Sequence, residues 1–253
     1  RKILMTGATG FLGSNLISSL ITSVPDENLR IFCLVRAKDE ASAKERLIAS
    51  LKKFKVYDGR YLKYLTAVPG DFKENNLGMS PETYDTLKRE IEAVYHNGAM
   101  LNFVYPYSHL KPTNVNGTIN ALRFACDTRR KLFFYVSSYS VFDTPPYIGQ
   151  RVYEESNITL STDFSLAYSQ SKWVSEQLVE AAKKRGLGAV IFRPGDIVGS
   201  YNGIWYMDDM ISRMIVGCIQ LGCIPLSHYR MQLTPVDYVA DALVCISRQT
   251  KAL

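Results

Sequence analysis

The sequence predicts an α/β protein, a Rossmann-type doubly wound parallel sheet with a partial C-terminal substrate-binding region, and three observations carry that reading. Apolar runs of strand length alternate with amphipathic runs of helix length along most of the 253 residues. The strand runs are apolar throughout, as suits strands covered on both faces. The first strand feeds a glycine turn, Thr6-Gly7-Ala8-Thr9-Gly10-Phe11-Leu12-Gly13, at the place where such sheets bind ligands.

The elements follow in order. Residues 3–5 form the first strand and residues 11–22 the first helix, and 30–35 with 40–54 repeat the unit. Residues 65–69 are a third strand. Ser80 caps the next helix, Pro81 opens it, and it runs to residue 92. A fourth strand at 93–96, a helix at 115–126 and a fifth strand at 132–137 come next. A long helix at 166–185 leads to a sixth strand at 189–193. From Gly199 to Leu233 the pattern loosens and Tyr, Trp and Met gather, which reads as an insertion over the strand ends. Residues 241–253 read as a final helix. One domain is expected, with residues 1–198 as the dinucleotide-binding core and 199–253 as the start of the substrate-binding region. The first strand begins without an initiator Met and the last helix stops abruptly. The expectation is therefore an excised piece of a longer polypeptide, with a complete enzyme with trimmed tails as the alternative.

Composition narrows the function classes. A hydrophobic fraction of 47% beside 21% charged residues is that of a globular protein with an ordinary core. No apolar run reaches the ~18–20 residues of a membrane span, and no signal-peptide pattern opens the chain, so a cytoplasmic protein is expected. The five cysteines are scattered without a CxxC pair, which fits a reducing compartment rather than a disulfide framework. His96, His109 and His228 have no metal-ligand spacing, and no metal is expected. The net charge of +6 suits a phosphate-rich cofactor and an acidic protein partner. No aromatic–basic repeat points to nucleic acid.

The glycine turn lies at a strand–helix junction, where glycines admit a tight turn and let a pyrophosphate approach the helix N-terminus. Thr6, Gly7, Thr9, Gly10, Phe11, Leu12 and Gly13 are therefore candidate cofactor residues. At the end of the second strand an NAD enzyme favours Asp or Glu, to accept bonds from the ribose 2′-hydroxyl. Arg36 stands there instead, and a guanidinium binds a 2′-phosphate that a carboxylate would repel. NADP(H) is the expected cofactor. Arg46 either joins Arg36 or is merely a solvated residue. Gly70-Asp71-Phe72 after the third strand and Asn97-Gly98-Ala99 after the fourth add the adenine and nicotinamide sides, weak signals individually but in the right order.

Tyr168-Ser169-Gln170-Ser171-Lys172 places a phenol and an ammonium on one helical face. A phenol is a weak acid, and a nearby ammonium is expected to lower its pKa. Ser137-Ser138 closes the fifth strand. Ser138 is preferred as the hydroxyl facing a substrate oxygen because it stands just past the strand, with Ser137 as the alternative. The expected mechanism is hydride delivery to a carbonyl carbon, with Ser138 and Tyr168 stabilising the oxyanion, Tyr168 supplying the proton and Lys172 orienting the ribose.

These residues resemble the extended short-chain dehydrogenase/reductases, and more narrowly the thioester reductase domains that end nonribosomal peptide synthetases and carboxylic acid reductases. The resemblance spans nearly the whole chain. Its signs are TGATGFLG, CLVRA, His96-Asn97-Gly98-Ala99, Asn114-Val115-Asn116-Gly117-Thr118, YSQSKWVSEQLV, Arg193-Pro194-Gly195-Asp196-Ile197 and LTPVDYVADAL. It implies a substrate held as a thioester on the phosphopantetheine arm of a peptidyl or acyl carrier protein, reduced to a hemithioacetal that collapses to aldehyde and thiol. Some members reduce again to the alcohol. It adds Asn114, Arg193, Pro194, Gly195 and Ile197 to the cofactor side and implies a module of a larger synthetase, for which a monomer is the default expectation with oligomeric state open. Ser138 replaces the Thr of many members, and the family's substrate subdomain continues well past residue 253. Tyr201, Trp205 and Tyr206 are candidates for an acyl channel, or simply loop packing. The rival readings are a fatty acyl-CoA reductase, a nucleotide-sugar epimerase or dehydratase, and a cofactor-binding regulator without catalysis.

Overall fold

The computed structural model describes residues 1–23, 27–160, 163–226 and 231–249. Among them, β1 (Lys2–Thr6), β2 (Arg30–Val35), β3 (Leu65–Pro69), β4 (Ala93–His96), β5 (Leu132–Val136) and β6 (Ala189–Phe192) form one parallel sheet. Its order is β3-β2-β1-β4-β5-β6, the doubly wound arrangement that the apolar runs predict. The helices in chain order are α1 (Phe11–Ser23), α2 (Glu40–Lys53), α3 (Pro81–Glu90), α4 (Tyr107–Lys111), α5 (Gly117–Cys126), α6 (Ala167–Lys184), α7 (Met210–Leu221) and α8 (Val236–Gln249). A separate parallel pair, β7 (Asp196–Val198) and β8 (Leu233–Pro235), lies outside the main sheet and was not legible in the sequence.

Alternation along β1 sends Ile3 and Met5 to one face and Leu4 to the other, and this divides the core in two. Ile3 and Met5 pack with Leu16, Leu47 and Leu243, from α1, α2 and α8. Leu4 packs with Leu87, Phe124 and Val179, from α3, α5 and α6. Each such fully buried side chain contributes roughly 1.5–3 kcal/mol relative to exposure.

Within residues 199–249, α8 belongs to this core rather than to the segment over the strand ends. Ser19 of α1 donates to Asp241 at 2.6 Å and Tyr95 of β4 donates to Ser247 at 2.6 Å. The final helix begins five residues before the expected Asp241, and residues 250–253, into which it was expected to run, lie outside the described residues. So does His228.

Two boundaries differ from the sequence reading for visible reasons. Ser80 does cap α3, accepting from the Thr83 backbone at 3.2 Å. The helix stops at Glu90, however, because Ile91 turns into the core and the Glu92 backbone bonds Lys2 on β1. Helical structure before α5 starts early, at Tyr107. Pro112 has no N–H to give, and the chain widens into a π-turn over Pro112–Asn116 before α5 resumes.

Candidate active site

A cavity of about 730 Å³ runs along the carboxyl ends of the strands and spans the β1/β4 switch point. One end is floored by the glycine turn. Gly7 adopts φ +71, and a Cβ there would sit 2.7 Å from the Gly98 backbone nitrogen. A Cβ on Gly13 would come within 2.0 Å of the Gly7 carbonyl oxygen, so the turn closes only with glycine. Gly7, Thr9, Gly10, Phe11 and Leu12 line the cavity, whereas Thr6 and Gly13 lie behind it as supports.

Arg36 and Arg46 line the same end, both exposed, and the Arg46 guanidinium donates to the Arg36 carbonyl at 2.8 Å. That bond fixes the second cation beside the first, a pairing the sequence reading left open. Asp71 and Phe72 form the wall beside β3. Phe72 also packs edge-on to His96 at 5.4 Å, and its ring fills the space a Cβ on Gly98 would need.

Asn97, Gly98 and Ala99 reach the cavity, and a hydrogen-bond chain behind them sets their place. The Gly98 N–H donates to Thr6 Oγ1 at 3.0 Å, and Thr6 Oγ1 meets His96 Nδ1 at 2.8 Å. On the far side His96 Nε2 meets Thr118 Oγ1 at 3.1 Å, while that hydroxyl donates to the Asn114 carbonyl at 2.6 Å. Because the Thr118 proton is spent on Asn114, Nε2 must carry the imidazole hydrogen and Nδ1 must accept from Thr6. Asn114 then spans Met100 at 2.7 and 3.0 Å and Ser171 at 2.9 Å. Asn114, assigned to the cofactor side, thus lies off the cavity and braces its wall against α6.

His96 is almost fully buried, and burial aided by the Lys172 charge pushes its pKa down to about 3. The sign follows. Below about 6.5 the unfolded chain takes up a proton that the folded chain refuses until about 3, so stability drops as pH is lowered through that window and rises as pH is raised through it. His96→Gln, which keeps a donor and an acceptor, should flatten the stability slope between those limits by close to one proton. Denaturation free energies measured from pH 7 to 4 check this, and an unchanged slope would refute it.

Ser138, Tyr168 and Lys172 converge at the other end of the cavity. Ser138 is half-buried and its Oγ accepts from the Ser140 backbone at 3.1 Å, so its own proton stays available. Ser137 also borders the cavity, but its hydroxyl is committed to Glu176 Oε2 at 2.6 Å. Lys172 is buried, donates to the Val136 carbonyl at 2.6 Å and lies 4.4 Å over the Tyr135 ring. Burial drives its pKa down to about 7, against the opposing pull of Glu176. The expectation that the ammonium lowers the phenol is corrected here: burial dominates at Tyr168 and pushes it up to about 12.

Pro194, Gly195 and Ile197 wall this end as well. Arg193 does not reach the cavity. It pairs with Glu176 at 2.5 Å, and its guanidinium stacks 5.1 Å from the Phe142 ring. Of the aromatic candidates, Tyr206 lines the cavity, Tyr201 is exposed, and Trp205 covers Gly199. Sequence reasoning missed the roles of His96 and Glu176. The only signal for Glu176 was its spacing, one turn past Lys172 on the same helical face. Among the described residues no cluster of His, Cys, Asp or Glu could hold a metal, and no helix is long and apolar enough to cross a membrane.

Comparison with known proteins places this geometry. The family described as "Male sterility protein", an NAD-binding family, matches residues 5–243. The chain is 38% identical to the L-2-aminoadipate reductase large subunit of Candida glabrata over 97% of its own length and 19% of the relative's. It superposes with TM-score 0.90 and 37% identity on the terminal R domain of the myxalamid PKS-NRPS pathway, covering all of this chain and 64% of that one. A thiolation-reductase di-domain from an archaeal nonribosomal peptide synthetase matches with TM-score 0.82 and 26% identity over 97% of this chain and 67% of that one. The chain thus spans about a fifth of that curated relative and just under two thirds of the solved R domain.

Proposed function

Because the chain belongs to the NAD-binding Male sterility protein family and is similar to a terminal R domain of a PKS-NRPS pathway, we propose that it reduces a carrier-bound acyl or peptidyl thioester to an aldehyde with NADPH. The observation that carries the reading is the cavity itself. Ser138, Tyr168 and Lys172 gather at one end, and the other is formed by a glycine turn with Arg36 and Arg46, the latter docked on the Arg36 backbone carbonyl.

The residues present fit a dinucleotide. Only glycine closes the turn that would take the pyrophosphate, and Arg36, with Arg46 docked on it, supplies cations for a 2′-phosphate. A reduced nicotinamide, when bound, supplies two electrons as hydride to the thioester carbonyl carbon. Ser138 donates to the oxygen as it gains charge. Tyr168, with its phenol pushed up to about 12, is fully protonated near neutral pH and gives that proton to the alkoxide. Lys172 uses one N–H on Val136 and keeps two for the ribose and for recharging the phenol. The hemithioacetal then breaks its C–S bond, the hydroxyl proton ending on sulfur, and leaves an aldehyde and the free phosphopantetheine thiol. The relative bearing a thiolation domain supports a carrier protein as the partner.

The test is to mix the protein with a loaded carrier protein, or with the matching CoA ester, and follow nicotinamide oxidation and released aldehyde. The expected result is NADPH consumption with aldehyde formed faster from the carrier. Preference for the CoA ester would favour the fatty acyl-CoA reading, and no net NADPH consumption would favour an epimerase-like one. In the same assay Arg36→Ala should lower kcat/KM for NADPH by roughly 10–100-fold and leave NADH nearly unchanged. An unaltered NADPH/NADH ratio would remove the 2′-phosphate assignment.

A further inference from the structure

We propose that Glu176 is a positioning residue for this reaction, its buried carboxylate clamping together the two segments that carry the catalytic groups and the Pro194-Gly195 wall, and placing an anion one helical turn from Lys172. The inference rests on the reductase reading above. Glu176 is fully buried on α6, one turn past Lys172 and two past Tyr168. Its Oε2 accepts from Ser137 Oγ at 2.6 Å, and Ser137 directly precedes Ser138. Its Oε1 accepts from Arg193 Nε at 3.0 Å and Nη2 at 2.5 Å, and Arg193 directly precedes the Pro194-Gly195 wall. The other arm of Arg193 donates to the Glu154 carbonyl at 2.9 Å. One carboxylate therefore joins the end of β5, the catalytic helix and the end of β6.

A buried ion pair can be a packing feature only. What distinguishes a positioning role is its effect on Lys172. The charged and titratable groups facing Lys172 are Tyr168 and Glu176 from α6, His96 from β4 and Tyr135 from β5. Arg193, at the end of β6, faces Glu176. Burial drives the lysine towards its neutral form and Glu176 acts against it. Without that anion, Lys172 releases its proton at lower pH.

The experiment compares wild type, Glu176→Gln and Ser137→Ala. Lysine carbon-13 labelled at Cε is titrated by NMR in the free protein, the Lys172 signal being identified by its loss in Lys172→Arg. The same three proteins are then assayed for kcat and KM across pH. Glu176→Gln should move the Lys172 titration, and the alkaline limb of kcat/KM, down by about one pH unit. Ser137→Ala keeps the carboxylate, so its limb should stay in place while kcat falls several-fold at unchanged KM for NADPH. Should Glu176→Gln misfold, Glu176→Asp serves instead, with the limb kept and kcat reduced. A Lys172 titration unmoved in folded Glu176→Gln overturns the inference, as does a Glu176→Asp enzyme with wild-type kcat. The NMR titration needs no turnover. If wild type fails to reduce thioesters, the reductase reading fails separately from the Glu176–Lys172 linkage.

Discussion

Tyr168→Phe is expected to lower turnover by about 10²–10⁴-fold while leaving dinucleotide affinity and melting temperature close to wild type. The loss is large because the proposed mechanism gives the hydroxyl two tasks, donating to the growing oxyanion and then delivering its proton. The change is structurally mild. The phenylalanine ring keeps the edge-on packing against Phe103, whose centroid lies 6.2 Å from that of Tyr168. Because the phenol is pushed up to about 12, its protonation stays constant across the neutral range, and no limb of the pH profile near neutrality belongs to it. Such a limb belongs to Lys172, which titrates near 7. The decisive measurement is single-turnover reduction with the cofactor dissociation constant determined in parallel. A Phe variant within a few-fold of wild-type rate would remove Tyr168 from the proton path. Equal losses of affinity and rate would make it a binding residue instead.

The fold was legible where local pattern and tertiary role coincide. β2 and β3 are found where the apolar runs placed them, although β2 is mostly buried while β3, at the sheet edge, buries only Val68. The glycine turn was legible because backbone crowding between Gly7, Gly13 and Gly98 admits no other residue. Three things were hidden. β7 and β8 are three residues each, too short for any period to show, and pair across 34 intervening residues of chain. α7 lies in the segment that read as loose, although Asp209 caps it by accepting from the Ser212 backbone at 2.7 Å. The apolar positions of that helix, such as Met210, Met214 and Ile219, stay exposed, so its pattern matched no core stripe. Arg193 read as a cofactor residue because it stands beside Pro194 and Gly195. Only three-dimensional placement reveals that its charge is consumed by Glu176, seventeen positions earlier.

The cavity ends were legible to different degrees for a related reason. Tyr168 and Lys172 share a YxxxK spacing at the start of a helix and Ser138 stands just past a strand, so they were legible as candidates, and the fold brings all three to one cavity. The supporting groups work through hydrogen bonds between residues far apart in sequence, as with Thr6 and His96, ninety positions apart. No local spacing encodes such a pair. The same holds for the phenol, whose acidity depends on how deeply the fold buries it and not on how near the lysine stands in the sequence.

Lys172→Met is expected to abolish most activity and yet raise stability near neutral pH, and the opposition of those effects is the strongest test of the lysine's role. In the unfolded chain the ammonium keeps its proton up to the ordinary lysine value of 10.5, and in the fold only up to about 7. Between those values the unfolded state holds more protons, so wild-type stability climbs as pH rises through the window, and below about 7 the full penalty applies. At about 1.4 kcal/mol per pH unit the burial cost is several kcal/mol. Methionine escapes it but leaves the Val136 carbonyl without its 2.6 Å partner, a loss of about 1–3 kcal/mol. The net gain is of order 1–3 kcal/mol, which raises the melting temperature by several degrees at pH 6. The gap should narrow steadily above pH 7 and close as pH nears the unfolded value of 10.5, above which the lysine is neutral in both states. Turnover should meanwhile fall by at least about 10²-fold, since neither ribose orientation nor recharging of Tyr168 survives. Melting curves of the free protein at pH 6, 8 and 10 decide the matter. A variant that melts below wild type at pH 6 would mean that Lys172 is held for packing, and that its buried charge is not a cost accepted for catalysis.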